Sequence, residues 1–300
     1  MNKKKAIVVG GAGFIGSNLV DGLIEKGYEV HVIDNLTGGK KEHVNPQATL
    51  HEKDIRNIDD IKPIFKDATY VFHLAALPRV QFSIEYPKET NEVNVEGTLN
   101  ILIAAKEAGV KRVVYSASSS AYGDQPTMPL VEDMKAHPKS PYGLQKYLGE
   151  LYAKLWSEVY GLETVSLRYF NVYGPRQNPD GAYALVIGKF IKMKEEGKPM
   201  TITGNGEQTR DFTSVHDVVQ ANILAAESPN VGKGEVMNIG AGRNFSIKKV
   251  AELIGGEIEY IPARLEPSHT LADNSLAKKL IGWEPKVSLE DGILELLRKN

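Results

Sequence analysis

The sequence predicts an α/β fold built on a doubly wound parallel sheet. Short β-branched runs alternate with longer helical patterns through the first half of the chain, the signature of repeated βαβ units. Gly27, Gly109 and Gly161 each fall just past a helical pattern, where a left-handed residue ends a helix. A glycine-rich turn, Gly10-Gly11-Ala12-Gly13-Phe14-Ile15-Gly16, joins the first run to the first helix.

In chain order, the β-branched runs predict strands over residues 6–9, 29–33, 50–53, 70–73, 112–116 and 164–168. Between them, helical periodicity predicts helices over 13–26, 59–65, 91–108 and 142–160. Past Arg168 the rhythm loosens. A loop rich in Gly, Pro and Asn over 171–181 precedes a helix at 183–196, a strand at 200–203 and a helix at 215–226, and an amphipathic helix at 289–297 closes the chain. The expected organisation is a nucleotide-binding domain over 1–168 and a smaller α/β C-terminal substrate lobe over 169–300. Segments near 169–180 and 205–235 are expected to return to the first core.

Bulk properties narrow the function. A chain of 300 residues can bury a full α/β core. With 42% hydrophobic residues, 25% charged residues and a net charge of −2, it offers no electrostatic reason to bind nucleic acid or an anionic membrane. The absence of cysteine rules out disulfides, thiolate catalysis and cysteine metal sites. No apolar run approaches the roughly 20 residues of a membrane span, and residues 6–9 are too short for the apolar core of a signal peptide. These features lead us to expect a cytoplasmic protein. The seven histidines lack metal-ligand spacing, and no metal site is expected.

The glycine-rich turn reads as a dinucleotide seat of the Rossmann type. Gly10 and Gly13 let the backbone turn tightly against a pyrophosphate at the helix N-terminus, and Gly16 allows close helix–sheet packing. Asp34 closes the second strand, 18 residues past Gly16, where a carboxylate can accept the ribose hydroxyls. An acid there favours NAD over NADP, because a 2′-phosphate would meet its charge. Asp54 and Ile55, after the third strand, are candidates for the adenine edge.

The candidate chemistry lies downstream. Tyr142 and Lys146 are one helical turn apart and share a face. A free phenol, with a pKa of about 10, is a poor base, and an ammonium within ~4–6 Å is expected to acidify it. Ser116 ends the fifth predicted strand and Ser118 to Ser120 follow it, and Ser118 can bridge a substrate oxygen and the phenol. Tyr142 and Lys146 alone would be an ordinary helix pair. With the nucleotide seat upstream, they are the parts needed to take hydride and a proton from a carbinol.

With these residues in hand, the chain resembles the extended short-chain dehydrogenases/reductases, and among them the UDP-hexose 4-epimerases. The resemblance runs through residues 10–17, His73-Leu74-Ala75-Ala76, Asn94 to Thr98, Ser118 to Gly123, the Tyr142/Lys146 pair, Arg168 to Gly174, Thr209-Arg210-Asp211-Phe212, Ala272-Asp273 and Gly282-Trp283. It implies a tightly held NAD, contacted by Gly10, Gly13, Phe14, Ile15, Gly16, Asp34, Asn35, Asp54, Ile55, Leu74, Ala75, Ala76, Asn94, Ser116, Tyr142, Lys146 and Tyr169. It implies a UDP-sugar held by Ser118, Ser119, Tyr142, Asn171, Tyr183, Ala184, Val186, Ile202, Arg210, Arg264 and Thr270, with Tyr142, Lys146 and Ser118 catalytic. Arg264 stands in Arg264-Leu265-Glu266-Pro267, one residue short of the family's Arg-x-Gly-Asp/Glu pattern.

In that reading Tyr142 removes the proton of the C4 hydroxyl, hydride passes from C4 to the nicotinamide, and the 4-keto sugar swings round to receive hydride on its other face. Thr270 and the run from Arg176 to Tyr183 imply room for an N-acetylated sugar. Helices 91–108 and 142–160 imply a homodimer. Sugar dehydratases place Thr-Asp-Glu where this chain has Ser118-Ser119-Ser120, and UDP-glucuronate decarboxylases carry a glutamate at the position of Ser120. Those lyases are the alternative reading, and a non-catalytic nucleotide-binding protein is a remoter one.

Overall fold

A computed structural model describes residues 3–180, 185–262 and 269–299. In chain order its first half contains β1 (Lys5–Val9), α1 (Phe14–Glu25), β2 (Glu29–Asp34), β3 (Thr49–Glu52), α2 (Ile58–Ile61), β4 (Ala68–His73), α3 (Val80–Glu85), α4 (Pro87–Asn91), α5 (Gly97–Glu107), β5 (Arg112–Ser118), α6 (Pro141–Tyr160) and β6 (Glu163–Tyr169). There follow β7 (Val172–Tyr173), α7 (Val186–Glu195), β8 (Met200–Thr203), β9 (Thr209–Asp211), β10 (Thr213–Ser214), α8 (Val215–Glu227), β11 (Lys233–Ile239), β12 (Asn244–Ser246), α9 (Ile247–Ile254), β13 (Ile258–Ile261), α10 (Ser275–Ile281) and α11 (Leu289–Lys299).

Seven strands form one sheet in the order β11-β6-β5-β4-β1-β2-β3, all parallel. Helices cover both faces, so the strands carry nearly unbroken apolar runs instead of an inside–outside alternation. Along β1, Ala6 and Val8 join the core shared with α1 and α8, while Ile7 and Val9 join the core shared with α2 and α5. The strand order reverses at β1, with β2 on one side and β4 on the other. That places a ligand crevice at the carboxyl ends of β1 and β4. A further core, built from α7, α9, α11 and β8, includes Phe190, Met200, Ile202, Val250 and Leu289.

All seven strands expected from the sequence are present, six in the main sheet and residues 200–203 as β8. Ser140 caps α6, its hydroxyl accepting from the Gly143 amide at 3.1 Å, and Gly161 ends that helix at φ +69°. Several elements differ from expectation. The helix expected at 59–65 is α2 followed by a 3-10 turn over Lys62–Phe65, and β7, β9, β10, β12, β13, α9 and α10 add to the elements read from the sequence. The helix expected at 91–108 is α5 preceded by a π-turn over Glu92–Glu96. Residues 80–91, given no element, form α3 and α4.

A further difference is β11, a seventh sheet strand, pairing in parallel with β6. In the sequence its apolar Val236, Met237 and Ile239 stand among Lys233, Glu235 and Asn238. Asn238 is fully buried there, donating to the carbonyls of Leu130 (2.9 Å) and Asp273 (3.1 Å). Among the described residues no helix is long and apolar enough to cross a membrane.

Candidate active site

At the β1–α1 turn the backbone leaves no room for side chains. Gly10 has φ +85°, and a Cβ there would lie 2.6 Å from the Ala75 nitrogen. A Cβ on Gly16 would lie 2.1 Å from the Gly10 carbonyl oxygen. Gly13 precedes α1 without a side-chain cap, and no acidic residue occupies the first turn, so the helix's first amides face outward as anion donors. Leu74 and Ala75 donate their amides to the Val9 carbonyl at 2.8 and 2.9 Å and close the opposite wall, which Ala76 continues. Phe14 and Ile15 are half-buried against the core on the α1 side.

Asp34 anchors this turn. It accepts from the Ala12 amide at 3.0 Å with one oxygen and from the Leu36 amide at 2.8 Å with the other. Burial raises its pKa, and those two amides oppose the rise. A carboxylate has about four acceptor positions, so two stay available to ribose hydroxyls. Asn35 donates to Asp54 at 3.0 Å, and Arg56 forks onto the same carboxylate at 3.0 and 2.7 Å, the chief cause of its pKa of about 2. Ile55 turns its side chain into the core, against Gly97. The cleft therefore fits NAD in its glycine cradle, its uncapped helix end and its carboxylate.

The candidate reaction cluster joins three elements. β5 delivers Ser118, whose Oγ donates to Ser120 Oγ at 2.9 Å and accepts from the Ser120 amide at 3.1 Å. Ser119 follows, half-buried. α6 delivers Tyr142 and Lys146 from its first turns, and α3 steadies that end through Ser83 Oγ, which accepts from the Tyr142 amide at 3.0 Å. Lys146 is 4% exposed, with Nζ 4.5 Å from the centre of the Tyr115 ring.

Burial raises the pKa of Tyr142, and a hydrogen bond with Ser118 opposes the rise. Burial lowers Lys146 to about 7, and Glu150 opposes the fall. The expectation that Lys146 acidifies the phenol is thus not met by these groups alone. A poorly hydrated setting disfavours the charged form of both partners, and the ammonium lies over Tyr115.

Neighbouring residues are committed to one another. Asn94 accepts from the Leu77 amide at 2.8 Å and donates to the Leu77 carbonyl (3.2 Å) and to Gln145 (2.8 Å), tying the 74–77 wall to α6. The π-turn gives Asn94 this position, and such turns gather at functional sites. Thr98 donates its one proton to the Asn94 carbonyl at 2.7 Å, so the buried His73 must donate from Nε2 to Thr98 at 2.9 Å. Burial first, and the Lys146 charge second, push His73 down to about 3, which keeps it neutral. Tyr169 donates to Asn222 at 2.9 Å and so accepts from Ser116 at 3.0 Å, leaving those two hydroxyls paired with protein.

On the C-terminal side Asn171 donates to the Asp211 carbonyl (3.1 Å) and to Thr270 Oγ1 (3.3 Å). Arg210 donates to the Thr209 carbonyl at 2.9 Å. Val186 begins α7, while Ile202 is wholly buried, so contact with a ligand would fall to its backbone or to Thr203. Tyr183, Ala184 and Arg264 lie outside the described residues.

Asp211, quoted above only within a motif, organises this region. Its carboxylate accepts from the amides of Ala241 (2.7 Å), Gly242 (3.0 Å) and Ala272 (3.0 Å). Burial pushes its pKa up to about 6 against those amides. No spacing in the sequence foretold a carboxylate holding segments so far apart in the chain.

With this geometry in view, the chain matches the model of the NAD dependent epimerase/dehydratase family over residues 6–240. It is 35% identical to the UDP-glucose 4-epimerase of Mycolicibacterium smegmatis, with 96% of each chain aligned. Among solved structures it is 41% identical to a UDP-glucose 4-epimerase from Thermotoga maritima with UDP-glucose, covering 98% of this chain and 99% of that one at a TM-score of 0.93. It is 39% identical to the UDP-N-acetylglucosamine 4-epimerase of Methanobrevibacter ruminantium in complex with UDP-N-acetylmuramic acid, covering all of both chains, again at 0.93. The chain belongs to the NAD dependent epimerase/dehydratase family.

Proposed function

We propose that the protein is an NAD-dependent isomerase that inverts C4 of a UDP-hexose. The carrying observation is the cluster of Ser118, Tyr142 and Lys146 beside the β1/β4 crevice, with Ser119 and Ser120 where related lyases need a carboxylate. Bound NAD supplies a reversible hydride acceptor for C4. The protein's own work is on the proton. Tyr142 takes it from the C4 hydroxyl and later returns it, and Ser118 relays between substrate oxygen and phenol.

Burial holds the resting phenol protonated-side up in pKa, so its ionisation has to be coupled to the arrival of the reacting partners. We assign Asn171 and Arg210 to the diphosphate, which tethers the sugar while the 4-keto intermediate turns. Asp211 holds in place the segments that present Asn171 and Thr270.

In this reading residues 1–168 hold the cofactor, with β11 completing their sheet, and 169–300 supply the sugar-nucleotide lobe. The medium-sized Thr270 supports acceptance of UDP-N-acetylhexosamines alongside UDP-glucose and UDP-galactose. A stripe of exposed apolar residues along α6, namely Leu144, Leu151, Leu155 and Val159, supports a homodimer through 91–108 and 142–160. The cysteine-free sequence suits a cytoplasmic setting.

Incubation with UDP-glucose, UDP-galactose, their N-acetyl forms and UDP-glucuronate tests the assignment. At least one should give a product of unchanged mass and inverted C4. Loss of water, or of CO2 from a UDP-uronate, without any inversion would contradict it.

A further inference from the structure

Three buried charges run in a row that begins at Lys146 of the reaction cluster. Lys146 and Glu150 are one turn apart on α6, and side chains at that spacing share a face. They are 4% and 2% exposed. Arg168, on β6 and also buried, forks onto the carboxylate, Nε to Oε1 at 3.0 Å and Nη2 to Oε2 at 2.7 Å. Its guanidinium carbon lies 4.5 Å from the centre of the Tyr122 ring, and it donates to the Glu132 carbonyl at 3.3 Å.

A buried ion pair is a weak way to add stability, because desolvation offsets most of its attraction. Its position is more informative than its strength. The carboxylate shares a helix face with an ammonium that burial pushes toward the neutral amine, and it is the charge opposing that push. Also facing Lys146 are Tyr142, one turn earlier on α6, the Tyr115 ring from β5 and the neutral His73 from β4. Glu150 in turn is raised by burial and drawn back by Arg168 and then by Lys146. Tyr115 also feels the Glu150 charge, and Arg168 acts on Tyr122 and Glu132.

We propose that Glu150, clamped by Arg168, is a positioning residue: the buried counter-charge that keeps Lys146 an ammonium within the reaction cluster. The proposal rests on the proposed function only in giving that ammonium a use. Below its folded-state pKa the lysine is charged, and above it the charge is lost. Removing the carboxylate moves that loss to lower pH.

The test is a direct titration of Lys146 in the full-length protein labelled with 13Cε-lysine, its resonance identified by its loss in Lys146→Met. Glu150→Gln, matched in shape, should lower the Lys146 midpoint by about one pH unit or more. Glu150→Asp, which keeps the charge but shortens the side chain, should stay near the wild type. A residue that merely packs gives the reverse order, Gln silent and Asp disturbed, and that order overturns the proposal.

If Glu150→Gln does not fold, Glu150→Gln/Arg168→Gln removes both charges together. Its midpoint should fall too, and an unchanged midpoint overturns the proposal. The alkaline limb of kcat/KM should follow the Lys146 midpoint downward. A midpoint that falls while the limb stays supports the role of Glu150 and counts instead against Lys146 in the proposed function.

Discussion

Tyr142→Phe is expected to lower kcat for C4 inversion by about 10²–10⁴-fold, the usual contribution of a positioned acid–base, while UDP-sugar affinity and thermal melting stay unchanged. The substitution removes one oxygen and nothing else. Tyr142 is held at the start of α6 through its backbone amide and Ser83, so the ring keeps its place without the hydroxyl. Ser118 keeps its bonds to Ser120. Steady-state kinetics beside calorimetric titration with UDP-sugar separates the two effects. A variant that turns over at the wild-type rate would show that another group moves the proton.

The second large effect concerns the nucleotide seat. Gly16→Ala places a methyl 2.1 Å from the Gly10 carbonyl oxygen, a contact with backbone that no rotamer relieves. Within a helix alanine is otherwise favoured over glycine by roughly 0.5–1 kcal/mol. The clash outweighs that gain because the Gly10 turn is also fixed from behind, its amide donating to the Ile33 carbonyl at 2.7 Å. Backbone strain of about 1–3 kcal/mol corresponds to a loss of roughly 10–100-fold in NAD affinity. Gly38→Ala is the control, since a Cβ there meets nothing within 4 Å. Calorimetric titration with NAD should find the first variant weakened and the second silent; equal affinities would remove the turn from the cofactor site.

What could be read from the chain follows from how local each signal is. The six early strands were legible because both sheet faces are covered, which makes their apolar runs continuous. Gly27, Gly109 and Gly161 marked where helices stop, and each has positive φ. β11 was not legible: its buried Asn238 is tolerated only because Leu130 and Asp273 offer carbonyls from distant segments.

The same division runs through the site. Tyr142 and Lys146 announce themselves by a four-residue spacing within one helix. Their electrostatics do not, since burial sets the pKa of both. Glu150 looks like one more helical acid until the fold brings the guanidinium of Arg168 to it. Asp211 reads as part of a motif, and its three amide partners come from 241–242 and 272. Residues whose role lies in a loop or a spacing were visible; those whose role is to meet a distant partner were not.

The central claim is that hydrogen leaves C4 and returns to it without exchanging with water. A UDP-hexose that turns over, prepared with deuterium at C4, tests this directly. The inverted product should carry the label at C4 when the reaction is run in ordinary water. A product that has lost deuterium from C4 to solvent, or a product of lower mass with no inverted sugar, would contradict the account.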